Sequence, residues 1–121
     1  MFIEKNVNPF GVNIDDCLIR AITIATGKDY QDVFDELCWV ADEKGWDIDE
    51  LRTAIVYLND LGWESYELSA PVTVKQFSND IRDPRIVIVN CHATFTKDGN
   101  VYDTWNPNRY RVKYVFRKRI D

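Results

Sequence analysis

The chain has 121 residues, 45% of them hydrophobic, with six Phe, four Trp and six Tyr, which suffices for one packed domain over residues 1–121 and excludes global disorder. The net charge of −5 argues against a general nucleic-acid binder, and no apolar stretch is long enough for a membrane span or a signal-peptide core. Three cysteines without a close pair do not form a disulfide framework, so we expect a cytoplasmic protein.

The first predicted helix follows an aperiodic segment over residues 1–14. Asp15 or Asp16 is placed to cap its start, and Gly27 to end it. Apolar residues surround most of the cylinder, and Arg20 is one of only two polar interruptions before the last turn. We therefore expect a central, largely buried helix.

Two more helices are predicted downstream, both amphipathic and peripheral. Asp29 caps the first of them, which ends at Gly45. Asp47 begins the second, with Glu50 three residues later as in a capping box, and Gly62 ends it.

Strands dominate the remainder of the chain. We predict a single-turn helix over residues 74–79 and strands over residues 63–68, 86–89, 92–96, 101–105 and 110–117. Asp98-Gly99 is a strong hairpin signal between two of these strands. Helices followed by an antiparallel sheet indicate an α+β fold.

The predicted hairpin aligns two polar side chains. With Asp98-Gly99 as a two-residue turn, Thr94 lies opposite Asp103 and His92 lies opposite Trp105. His92, the only histidine, then lies on the same face as Asp103. The two are diagonal neighbours on adjacent strands, with backbone positions about 7–8 Å apart. That separation permits an imidazole–carboxylate hydrogen bond, whereas a three- or five-residue loop would turn Asp103 to the other face.

Cys17 opens the first predicted helix. A helix start favours a thiolate through its free N–H groups and dipole, although nearby Asp15 and Asp16 carboxylates would oppose it. Cys38 and Cys91 are expected to be packing residues. No metal site is predicted, because the sequence lacks the close cysteine pairs of zinc sites. Cys17, His92 and Asp103 together match a cysteine hydrolase.

Two blocks, residues 8–26 and 86–105, resemble small papain-like cysteine peptidases. The resemblance is to the leader peptidases that cleave bacteriocin precursors after a double glycine, and to stand-alone relatives in bacteria and phages. It rests on the order Cys, His, Asp, on a helix beginning at the Cys, and on three motifs: Asn8-Pro9-Phe10-Gly11, Asp16-Cys17-Leu18-Ile19-Arg20-Ala21 and Val101-Tyr102-Asp103-Thr104-Trp105. It implies a papain-like fold, a peptide or protein substrate and no cofactor.

One departure from that family concerns the oxyanion. The resemblance implies a Gln six residues before the nucleophile, but Gly11 stands there. Asn13, or alternatively Asn8, could donate instead beside the Cys17 N–H. Loss of one oxyanion donor lowers the rate by roughly 10²–10³-fold, so a weak or inactive enzyme is an open alternative.

The expected function is hydrolysis of a peptide or amide bond. Cys17 would attack the carbonyl carbon, His92 would transfer the proton, Asp103 would orient His92, and Asn13 would bind the oxyanion. Deamidation or acyl transfer could use the same residues. The alternative is a binding or inhibitor protein with this fold. The acidic segment 29–50 and the basic segment 109–121 are interpreted as solvated faces rather than as a nucleic-acid site.

Overall fold

A computed structural model of the chain describes residues 1–10 and 16–120, which form four helices and six strands. The helices are α1 (Cys17–Thr26), α2 (Tyr30–Lys44), α3 (Leu51–Asp60) and α4 (Val74–Asp80). The strands are β1 (Phe2–Glu4), β2 (Trp63–Glu67), β3 (Arg85–Val89), β4 (His92–Lys97), β5 (Asn100–Asp103) and β6 (Tyr114–Lys118). None of the described helices has both the length and the apolar character that crossing a membrane requires.

All six strands form one sheet in the order β1-β5-β4-β3-β6-β2. The four pairings from β5 to β2 are antiparallel, whereas β1 pairs in parallel with β5. The predicted α+β class is therefore confirmed. The prediction of a purely antiparallel sheet is wrong at one edge, because β1 comes from the segment in which no strand pattern was recognised.

Side chains on the two faces of the sheet build two separate cores. Ile86, Phe95 and Phe116 pack with α1, α2 and α3 on one face. Val87 follows Ile86 in the sequence and Val115 precedes Phe116, and both valines pack with α4 on the other face of the sheet. This division follows from the alternation of side chains along a strand, and it explains why the β-branched run in β3 is buried on both sides.

Helix α1 is the central helix that its composition predicted. Leu18, Ala21 and Ile22 are buried against α2 and against strands β3 and β4. Gly27 ends the helix in the left-handed region at φ 72°, where its N–H donates to the carbonyl of Thr23 at 3.0 Å. The packing of α1 fixes where its first residue meets the sheet.

Several predicted boundaries differ from the structure. α3 begins at Leu51 rather than at Asp47, although Glu50 does accept a hydrogen bond from the Asp47 N–H at 2.8 Å. That hydrogen bond therefore lies in a turn that precedes the helix, and not in the first turn of the helix itself. The strand predicted to start at residue 110 begins at Tyr114, and the one predicted to reach residue 105 ends at Asp103.

We expect Ile22→Ala to lower the free energy of unfolding by about 2–5 kcal/mol, because Ile22 is fully buried and truncation leaves a cavity. Ile120→Ala, at a side chain that is 98% exposed, is the matched control and should change stability by less than about 0.5 kcal/mol. Urea denaturation followed by circular dichroism measures both. A loss below about 1 kcal/mol for Ile22→Ala would contradict the central position of α1.

Candidate active site

Cys17 lies where the start of α1 meets the start of β4. It is the first residue of α1, is partly exposed, and its Sγ accepts a hydrogen bond from the Ala93 N–H at 3.4 Å. Residues 17 and 93 are 76 positions apart, so only the packing of α1 on β4 brings them together. The thiol thus lies against the residue that follows His92.

The β4–β5 hairpin has the register that the sequence predicted. Asp98 and Gly99 form the two-residue turn with φ values of 55° and 81°, as a type I′ turn requires, and Thr96 pairs with Val101. His92 Nε2 then lies 2.6 Å from Asp103 Oδ2. The predicted imidazole–carboxylate hydrogen bond is present in the structure.

Neighbouring groups fix the orientation of both partners. Asp103 Oδ1 accepts a hydrogen bond from the Thr104 N–H at 2.7 Å, and the carbonyl of Asp103 accepts one from the Lys5 N–H at 2.8 Å. The ring of Trp105 lies 4.4 Å from the imidazole of His92, centroid to centroid, although β5 ends at Asp103 and the two residues are not paired in the strand ladder. The unpredicted edge strand β1, which leads into Lys5, therefore helps to hold the site.

The electrostatics of His92 depend on Cys17 as well as on Asp103. Burial by itself lowers the pKa of His92, but hydrogen bonds to the Asp103 and Cys17 side chains, together with their negative charges, raise it to about 9. Because Nε2 is engaged by Asp103, Nδ1 is the nitrogen left for the thiol. Cys17, His92 and Asp103 thus form one connected group, and the imidazole is charged at neutral pH.

A buried charged network lies behind this group. Arg20 forms an ion pair with Asp16 one helical turn earlier, and its Nη2 lies 4.0 Å from Asp103 Oδ1. Asp16 Oδ2 also accepts hydrogen bonds from Tyr30 at 2.7 Å and from Asn8 Nδ2 at 2.9 Å. Asp16, Arg20 and Asp103 are each no more than 6% exposed.

Sequence reasoning missed this network and gave two of its members other roles. Asp16 does occupy the N-cap position of α1, but its side chain makes no capping hydrogen bond because Arg20, Tyr30 and Asn8 engage it. The signal available was an arginine on an otherwise apolar helix with an aspartate four residues earlier. Burial raises the pKa of Tyr30 while the charge of Arg20 lowers it, and the net rise keeps its hydroxyl a donor.

The expected oxyanion donors fall on both sides of the boundary between described and undescribed residues. Gly11 and Asn13 lie outside the described residues. Asn8, the alternative donor, is 5% exposed, and its amide both donates to Asp16 and accepts from the Phe10 N–H at 2.8 Å. Asn8 is thus a structural residue of the buried network, and its contacts argue against the alternative role as an oxyanion donor.

The other two cysteines differ from Cys17 and from each other. Cys91 was expected to extend the buried strand, but it is exposed in the turn between β3 and β4 with φ 57°. The chain must reverse direction there, which ends the β-branched run at Val89. Cys38 is partly buried on α2, where burial and the charges of Asp35 and Asp42 raise its pKa.

A cavity of about 410 Å³ opens beside the Cys17 thiol and the imidazole of His92. The first turn of α1, the segment that leads into α3, and strands β3 and β4 with their turn form its walls. Its aliphatic lining residues are Leu18, Ile19, Ile48, Leu51 and Ile88. The thiol and imidazole are therefore reachable from outside along an apolar surface.

Comparisons of this chain with protein-family models, with curated proteins and with solved structures found no match.

We expect Asp103→Asn to lower the pKa of His92 from about 9, because the carboxylate that raises it is lost, while Cys17 still raises it and burial still lowers it. An NMR titration of the Cε1–H signal measures this directly, since the chain has one histidine. Asp60→Asn, at an exposed residue, is the control and should leave the pKa unchanged.

Stability should depend on the same proton. Because the folded-state pKa of His92 is raised, its contribution to the free energy of unfolding is complete below pH 6.5 and is lost as the pH rises through 9. His92→Gln should flatten this fall. A wild-type imidazole that titrates at 6.5 or below would show that the coupling to Asp103 and Cys17 is absent.

Arg20→Leu should lower the free energy of unfolding by about 3–5 kcal/mol, because it leaves the Asp16 carboxylate buried beside Asp103 without its cation. Arg52→Leu removes an exposed arginine paired with Glu50 and should cost at most about 1 kcal/mol. Equal losses for the two variants in urea denaturation would contradict a special role for the buried network.

Proposed function

We propose that this protein is a papain-like cysteine hydrolase that cleaves a peptide or amide bond. The observation that carries the proposal is the connected group of Cys17, His92 and Asp103, assembled from three separate parts of the chain. A nucleophile bonded to a base, and a base oriented by a third group, are the parts that thiol catalysis requires.

The proposed reaction has two stages, formation of a thioester on Cys17 and its hydrolysis by water. The Cys17 thiolate attacks the carbonyl carbon, and His92 Nδ1–H delivers its proton to the leaving amine as the thioester forms. Water then attacks the thioester, transfers a proton to His92, and releases the acid and the Cys17 thiolate. Asp103, bonded to Nε2, holds the imidazole in the orientation that both transfers need.

The oxyanion would form at the N-terminus of α1. The N–H of Cys17 lies there, and the positive end of the helix dipole favours a developing negative charge. We assign the second donor to Asn13, because Asn8 is committed to Asp16. The charge of Asp16, adjacent to the thiol, is offset by its ion pair with Arg20, so it opposes the thiolate less than an unpaired carboxylate would.

The arrangement of elements supports the papain-like assignment. A buried helix that begins at the cysteine packs against a sheet strand that begins at the histidine, and the acid follows on the next strand. This agrees with the resemblance to double-glycine leader peptidases and their bacterial or phage relatives. A reducing, cytoplasmic setting would keep Cys17 reduced, as the chemistry needs.

We expect iodoacetamide to alkylate Cys17 faster than Cys38 or Cys91 from pH 6 to pH 8. The imidazolium of His92, with its pKa of about 9, persists through this range and stabilises the thiolate. His92→Gln should slow Cys17 alkylation about tenfold or more at pH 6 and leave the other two cysteines unchanged as internal controls. Peptide-level mass spectrometry gives the three rates. Alkylation of Cys17 no faster than of exposed Cys91 would overturn the proposal.

The reaction itself is tested by incubating the protein with a peptide library prepared from a bacterial proteome. New peptide termini that disappear with Cys17→Ala would support hydrolysis, and hydroxylamine should trap the thioester on wild-type protein. Glutamine converted to glutamate, or acyl groups moved to added amines, without new termini would replace hydrolysis with deamidation or acyl transfer. Fast Cys17 alkylation with no turnover at all would favour a binding protein that has lost the reaction.

A further inference from the structure

The cavity beside Cys17 has a size and a lining that restrict the substrate. We propose that a large aliphatic group of the substrate, adjoining the reacting carbonyl and without a negative charge, occupies the cavity formed by α1, the segment before α3 and the β3–β4 turn. This inference rests on the proposed function, because it takes Cys17 as the nucleophile. It differs from a preference for glycine at the cleaved bond, since glycine would leave the space unfilled.

The size of the cavity supports a large group. Its volume of about 410 Å³ lies within the range of small-molecule sites, about 300–1,000 Å³. Leu18 and Ile19 form one wall, and Ile48, Leu51 and Ile88 form the others. Leu51 is 38% exposed, so part of this apolar lining faces water. An aliphatic group in the cavity would remove this surface from water.

The charges around the cavity disfavour a carboxylate. Asp16 and Asp49 are its acidic residues, and no Lys or Arg is among its lining residues in the described part of the chain. The imidazolium of His92 also lines the cavity, but it is already paired with Asp103. Asp16 is already paired with Arg20, whereas Asp49 is exposed and has no ion pair with any described residue. A substrate group that carries a carboxylate would be repelled there, and a neutral one would not.

Small electrophiles test the cavity without requiring turnover. We would alkylate wild-type protein at low conversion with N-substituted chloroacetamides, in which Cys17 displaces chloride, bearing methyl, n-butyl, n-hexyl or carboxypropyl groups. Each rate is divided by the rate of the same reagent with free cysteine. We expect Cys17 to react about tenfold faster with the hexyl than with the methyl reagent, as burial of several methylenes predicts. The carboxypropyl reagent should react more slowly than the butyl reagent.

Two pairs of variants locate the effect. Ile48→Asn should reduce the hexyl preference at least about threefold, whereas Ile55→Asn, a partly buried isoleucine outside the cavity, should not. Asp49→Lys should raise the relative rate of the carboxypropyl reagent, and Asp60→Lys, with the same change in net charge, should not. Circular dichroism confirms that each variant is folded before its rates are compared.

The outcomes separate this inference from the proposed function. Fast Cys17 alkylation with equal relative rates for methyl and hexyl reagents would overturn the aliphatic site and leave the nucleophile intact. A hexyl preference retained by Ile48→Asn would place the binding surface elsewhere and would also overturn the inference. Chain-length selectivity at a Cys17 that turns over no peptide would support the cavity while contradicting the hydrolase.

Discussion

The contact between the first turn of α1 and the start of β4 determines the geometry of the candidate site. It joins a helix whose apolar surface is buried to the one strand that carries His92, and the 3.4 Å contact from the Ala93 N–H to Cys17 Sγ lies at its centre. Hydrophobic burial supplies the free energy for this contact, since Leu18, Ala21 and Ile22 pack in the same core as Phe95. The polar groups then determine how the two elements are aligned.

Charge balance in the buried network restricts that alignment further. Asp16 and Asp103 are opposed by Arg20 and by the imidazolium of His92, and a buried charge without a partner is strongly destabilising. Arg20 lies between both carboxylates, so a shift of α1 along β4 would separate it from one of them. The network therefore favours one register of helix on sheet, and it is the register in which thiol and imidazole meet.

Local signals predicted the parts of this site that depend on local structure. The Asp98-Gly99 turn and the alternation of strand side chains were sufficient to align His92 with Asp103, and the helix start was sufficient to place Cys17. The remaining features depend on contacts between distant residues. β1 is three residues long and is stabilised by pairing with β5, and the roles of Asn8 and Tyr30 follow from where Asp16 lies after folding. Cys91 was misjudged because the turn at residues 90–91 has no glycine or proline to indicate it.

The surroundings of Cys17 are unequal on its two sides. Towards Arg20, Thr94 and Asp103 there is a void of only about 10 Å³, near the limit for a single water, while the opposite side opens to about 410 Å³. The sulfur is therefore accessible from the apolar side, and the charged network lies on the buried side behind it. His92 lies at the boundary with a side chain 9% exposed, bonded to Asp103 on the buried side and facing the cavity on the other. In the proposed reaction, an imidazole in this position would carry a proton between Cys17 and the leaving group without exposing its own counter-ion to water.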